Sequence, residues 1–245
     1  MFGFVCCHSE EQPRFRVIEG TQFRAVYVTP GRSLRARMSC HAAARALRRD
    51  GVREAVFPPE SVYRAAFARR GISPLSPVPL YHATAVAIVR RYMEQLGIDA
   101  RHATAAFAAE RVTPEIMRAV ETLSGEIRYI ALCMPGGEEL ARVLQREHGV
   151  AARLSTLPQR ADLRVAFGKA EVVGDVLRID SALRVAYDSP YPNELLAALF
   201  RAGSLDADAL FVTSVESGSA KSGKREEKDL QNPYSSRIIS SDVPV

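Results

Sequence analysis

Four times in this chain an amphipathic run closes on glycine followed by a β-branched residue: Gly51-Val52, Gly71-Ile72, Gly97-Ile98 and Gly149-Val150. Glycine just past a helix takes the left-handed conformation that satisfies the last carbonyls, and the apolar residue after it folds back on the final turn. Basic residues precede three of the four (Arg48 and Arg49, Arg69 and Arg70, Arg146 and His148), where the negative end of a helix dipole favours them. The spacing is irregular, which excludes a solenoid repeat. The pattern is helix-to-strand punctuation, and it constrains the chain to an α/β fold.

Helix starts agree with these ends. Ser33 caps a helix to about Arg49, Pro58 and Pro59 precede one over Glu60–Arg70, and Thr113-Pro114-Glu115 supplies a cap, a first-turn proline and a first-turn acid. One helix is expected over Leu80–Leu96, another behind Glu138 and Glu139, and a short one over Asn193–Ala202. Strand candidates lie between them: Arg24–Val28, Glu54–Phe57, Ala103–Ala109, Arg128–Met134 and Ala151–Leu157. Several are unbroken apolar runs, as strands covered on both faces require. The proline-rich Ile72–Pro79 fits only an edge strand or a loop. Beyond residue 160, Leu163–Phe167 and Arg184–Tyr187 read as strands, and Gly174-Asp175 reads as the turn of a type II′ hairpin. The expectation is a three-layer, Rossmann-like α/β domain over residues 14–216. Its sheet is mostly parallel, with antiparallel additions near the C-terminal end and room for a small β-rich subdomain over 160–216.

Residues 1–13 read as a loose extension. Ser217–Val245, rich in serine and charge and holding Lys221, Lys224 and Lys228, reads as a disordered tail. The opening lacks a basic stretch and a small-residue cleavage site, so a cytoplasmic location is expected. No apolar run approaches the roughly 20 residues of a membrane span. Cys6, Cys7, Cys40 and Cys133 lack the density of a disulfide framework, and Cys6-Cys7-His8 with Cys40-His41 lacks the ligand spacing of a structural zinc site. No metal is expected, and no cofactor is identified.

The stretch Arg128-Tyr-Ile-Ala-Leu-Cys-Met-Pro-Gly-Gly-Glu-Glu-Leu-Ala-Arg-Val-Leu-Gln-Arg-Glu-His-Gly-Val150, with Arg53-Glu-Ala-Val-Phe-Pro58 and Asn193-Glu-Leu-Leu-Ala-Ala-Leu-Phe200, resembles an uncharacterised family of bacterial Rossmann-like proteins. The resemblance spans most of residues 15–212. It implies the fold and carries no activity.

The net charge is +5, and Arg outnumbers Lys 29 to 4. That preference suits bidentate recognition of phosphate or carboxylate, and it equally follows from a GC-rich coding sequence. The foremost candidate site is the turn after the first expected strand, where Thr29, Gly31, Arg32, Ser33 and Arg35 stand together. In open α/β sheets ligands bind beyond the carboxyl ends of strands, and the free N–H groups of a helix start favour an anion. The plainer reading is a tight turn with Ser33 as helix cap. Neither the dinucleotide-binding glycine fingerprint nor a P-loop occurs there. Pro135-Gly136-Gly137 also precedes a helix, but Glu138 and Glu139 follow at once and repel an anion. The arginines of helix 34–49 spread around its circumference, so nucleic acid is not an expected partner. The expected ligand is a small anion, a nucleotide or phosphorylated metabolite. The rival reading is a non-catalytic interaction module.

Overall fold

A computed structural model of the chain describes residues 1–7, 13–31, 33–58, 64–155 and 161–217. It is a mixed α/β protein in which helices flank two five-stranded sheets, not one, with a separate two-stranded ribbon.

The first sheet contains β1 (Phe2–Cys7), β2 (Phe15–Ile18), β3 (Thr21–Val28), β4 (Glu54–Val56) and β5 (Ser73–Pro74), in the order β2-β3-β1-β4-β5. The N-terminal segment expected as a loose extension therefore supplies a central strand, paired in parallel with β3 and β4. A strand covered on both faces needs no polar alternation, so Phe-Gly-Phe-Val-Cys-Cys carries no period to read. Gly3 lets the sheet and its helix approach closely: a Cβ there would lie 3.0 Å from both Ala55 Cβ and Leu47 Cδ1. β2 is the antiparallel member, joined to β3 by Glu19-Gly20 with φ of 45° and 74°. Both turn residues take positive φ, as a type I′ hairpin demands. The proline-bearing β5 takes the sheet edge, as Pro74 requires.

Helices α1 (Leu34–Arg49) and α2 (Arg64–Ala68) carry the chain from β3 to β4 and on to β5. Both steps run the same way across the sheet, so right-handed connections put both helices on one face. There Cys40, Ala44 and Leu47 of α1 and Phe67 of α2 bury against Val5, Val26 and Ala55.

The second sheet is wholly parallel: β6 (Thr104–Ala109), β7 (Tyr129–Cys133), β8 (Ala152–Leu154), β9 (Leu163–Phe167) and β10 (Leu177–Ile179), in the order β10-β9-β6-β7-β8. Between its first three strands run α5 (Pro114–Ser124) and α6 (Gly137–His148). The hairpin expected at Gly174-Asp175 does not form, because β9 and β10 pair in parallel. Arg178 fastens their connection, donating from Nη1 to the carbonyls of Gly168 (3.0 Å) and Ala170 (2.8 Å). The antiparallel strands near the C-terminal end are β11 (Arg184–Tyr187) and β12 (Val212–Glu216), and they form their own ribbon.

The expected helix over Leu80–Leu96 is two helices, α3 (Val78–Ala83) and α4 (Ala85–Leu96). At the break, buried Thr84 donates its hydroxyl to the Leu80 carbonyl (2.9 Å) and receives the Tyr187 hydroxyl (2.8 Å). The glycine punctuation holds throughout. All four glycines take φ between 67° and 77°, and the N–H groups of Val52, Ile72, Ile98 and Val150 bond back into the preceding helices at 3.0–3.2 Å.

The last α-helix among the described residues, α7 (Asn193–Arg201), buries five consecutive residues, Leu195–Leu199. It joins Phe23 and Val56 of the first sheet and Phe107, Leu132 and Val165 of the second in one apolar core. Ser217 donates its hydroxyl to the Val176 carbonyl at 2.9 Å. The rest of the tail, 218–245, lies outside the described residues.

Phe107 is fully buried at the centre of β6. Phe107→Ala is expected to cost about 3–5 kcal/mol in chemical denaturation. Phe211→Ala, at a position 73% exposed, should stay within about 0.5 kcal/mol of the parent. Similar losses for both would contradict this core.

Candidate functional site

The first sheet ends its parallel strands β1, β3 and β4 on one edge, and the turn from β3 into α1 lies there. The Thr29 N–H donates to Ser39 Oγ at 3.1 Å, tying the turn to the second turn of the helix. Ser33 is extended (φ −64°, ψ 163°), and its Oγ accepts from the Ala36 N–H at 3.2 Å. Such a cap contributes about 1 kcal/mol and satisfies one of the helix's unpaired donors. Gly31 has φ of 105°, and a Cβ there would meet nothing within 4 Å, so the backbone conformation, not crowding, calls for glycine. Arg35 and Arg37 stand exposed on the first turn, and neither bonds a described side chain. Thr29, Gly31 and Ser33 thus form one turn with Arg35 beside it. Arg32 lies outside the described residues.

First-turn charge divides the helices: α5 begins with Glu115, α6 with Glu138 and Glu139, and α7 with Glu194, whereas α1, like α2, α3 and α4, has no acid in its first turn. At α6 the glycines serve packing: Gly136 takes φ of 79° as the cap, and a Cβ on Gly137 would lie 3.4 Å from Leu132 Cβ.

The second sheet has a carboxyl edge of its own. From β6 the chain steps to β7 and β8 on one side and returns to β9 and β10 on the other. Such a reversal opens a crevice beyond the strand ends. There His82 of α3 stacks edge-on against Phe167, the last residue of β9, with ring centroids 5.6 Å apart. Its Nε2 is buried without a hydrogen-bond partner among the described residues. Burial pushes this imidazole below its ordinary pKa, while a hydrogen bond to the Ile179 backbone and the Glu115 carboxylate act the other way. Glu115 is itself held low by hydrogen bonds from its own N–H and from the Thr113 hydroxyl. Nothing local marks His82 in the sequence. Its neighbours come from β9, β10 and α5, which only the fold assembles.

Cys6 is buried beside Arg16, whose Nη1 lies 3.8 Å from its sulfur, and Cys40 is buried in α1. Burial raises both thiol pKa values, which keeps them protonated. Among the described residues no group of three or more His, Cys, Asp or Glu is arranged to hold a metal, and His8 lies outside them. Neither a family model nor a curated protein matches the chain.

His82 sets a pH dependence whose sign follows from its burial. The unfolded chain takes up this proton near pH 6.5, before the folded protein does. Its contribution is therefore complete above about pH 6.5 and shrinks as pH falls below that value. His82→Gln should show a shallower loss of stability than the parent between about pH 7 and 5.5 in urea unfolding. Parallel pH profiles would exclude a buried neutral imidazole.

Proposed function

We propose that this chain binds a small anionic ligand, a nucleotide or phosphorylated metabolite, beyond the carboxyl ends of β1, β3 and β4. Thr29, Gly31, Arg32, Ser33 and Arg35 surround it. The reading carries with it a Rossmann-like arrangement of helices about the parallel sheets. The observation that carries it is the uncompensated start of α1. A 16-residue helix ends its dipole on this edge without a first-turn acid, and exposed Arg35 and Arg37 sit beside the open backbone of Gly31. The first backbone N–H groups and the two guanidinium groups favour phosphate or carboxylate over a neutral ligand.

A second reading has its own support. Leu34 and Met38 are 74% and 64% exposed, one turn apart on α1. A partner protein laid along that stripe would cover them, making the chain an interaction module.

Thermal unfolding with inorganic phosphate or ATP as the probe separates the two. At about 100 times its Kd, a ligand of the folded state adds about 2.7 kcal/mol, or about 5–10 °C for a chain of this size. That shift should shrink in Arg32→Ala and Arg35→Ala. It should persist in Arg142→Ala, which removes an exposed arginine ion-paired to Glu139 on α6. Equal shifts in all four proteins would contradict the site. No shift with either probe would favour the interaction module.

A further inference from the structure

Five arginines gather at the other end of α1. Arg45, Arg48 and Arg49 share one face of its last turns, at the i, i+3 and i+4 spacing of helical neighbours. The end of α2 brings Arg69 and Arg70 alongside, and the five line an open groove of about 910 Å³. All five are exposed. Arg48 Nη1 donates to the Arg70 carbonyl at 2.9 Å, which fixes one wall against the other.

Among the described residues no acid lines this groove, although the Asp50 carboxylate feels the charge of Arg49. None of the five arginines forms an ion pair with a described residue. The nearby acids are engaged elsewhere: Asp50 holds Arg24 at 2.5 Å and Arg14 at 3.6 Å, and Glu54 holds Arg201 at 2.7 Å. The helix dipole accounts for Arg48 and Arg49 in the last turn of α1. It does not account for five guanidinium groups facing one groove, where mutual repulsion opposes folding.

We propose that this groove docks the phosphate backbone of a nucleic-acid duplex without regard to sequence. Guanidinium forks match phosphate oxygens, and cations on two walls suit a row of phosphates better than a single one. The rest of the lining is Ala42, Ala46 and Gly71, so the groove offers neither an aromatic ring on which an unpaired base stacks nor a side-chain amide that reads a base edge. What remains is electrostatic contact with a backbone, the mode of sequence-independent duplex binding. Read along α1 alone, Arg35, Arg37, Arg45, Arg48 and Arg49 spread around a helix. The fold selects three of them and adds two from α2. Because α1 is about 24 Å long, this surface is separate from the small-anion site at its start and stands or falls independently of it.

Fluorescence anisotropy of the full chain with a short labelled duplex tests the proposal. Five phosphate contacts predict a log–log salt slope of about −4.5, a loss of affinity of about 500-fold between about 50 and 200 mM salt. The Arg45→Ala/Arg69→Ala double variant should show a slope of about −2.7, with a melting temperature no lower than the parent's. Arg142→Ala should bind as the parent does. The proposal is overturned by no binding at the lower salt, or by an unchanged slope in the double variant. It is equally overturned if a single strand or poly-glutamate binds as tightly as the duplex.

Discussion

The structure depends on burying one short helix from every side. In α7 the consecutive residues Leu195, Leu196, Ala197, Ala198 and Leu199 are all buried, which no helix lying on a surface achieves. Each leucine so buried contributes about 1.5–3 kcal/mol, and the two alanines admit neighbouring elements closely. The helix joins a core containing residues of both sheets. Its polar rim fastens the same contact: Glu194 pairs with Arg64 at 2.7 Å, Arg201 with Glu54 at 2.7 Å, and the Thr21 hydroxyl meets Ser204 at 2.6 Å. A helix near the C-terminal end thereby covers the face of the first sheet opposite α1. That leaves α1 free to present its two ends outward, one beside the strand edge and one beside α2.

Features written locally were legible in the sequence, and features made by distant contacts were not. The four helix ends were readable because a left-handed glycine and its following apolar residue act within one turn. Ser33 was readable as a cap for the same reason. β1 was not, because a strand paired on both sides has no polar alternation to betray it. The division of the strands into two sheets is equally a matter of long-range pairing. Gly174-Asp175 carries the residues of a hairpin turn, yet the pairing of Leu177 with Val165 decides in favour of a parallel strand. The break at Thr84 depends on Tyr187, more than a hundred positions away.

The candidate sites follow the same division. Thr29, Gly31 and Ser33 are neighbours in the chain and form one turn, so their grouping needed no fold. His82 lay hidden because Phe167, Ile179 and Glu115 reach it from three other elements. The arginine groove was hidden by the spread of Arg35, Arg37, Arg45, Arg48 and Arg49 around α1, because only the packing of α2 on α1 singles out the last three and supplies the second wall. Both proposed anion surfaces therefore belong to one helix whose inner face is apolar and whose ends are cationic or uncompensated.

If α7 unites the two sheets, they must open together. Native-state hydrogen exchange reads this directly, through the amides of Val26 in β3 and Phe107 in β6. The account predicts that both exchange only by global unfolding and that Leu196→Ala lowers their protection by the same amount, about 2–5 kcal/mol. Loss of protection at Val26 with Phe107 unchanged would mean that the sheets are separate cooperative units, and would contradict the central role given to this helix.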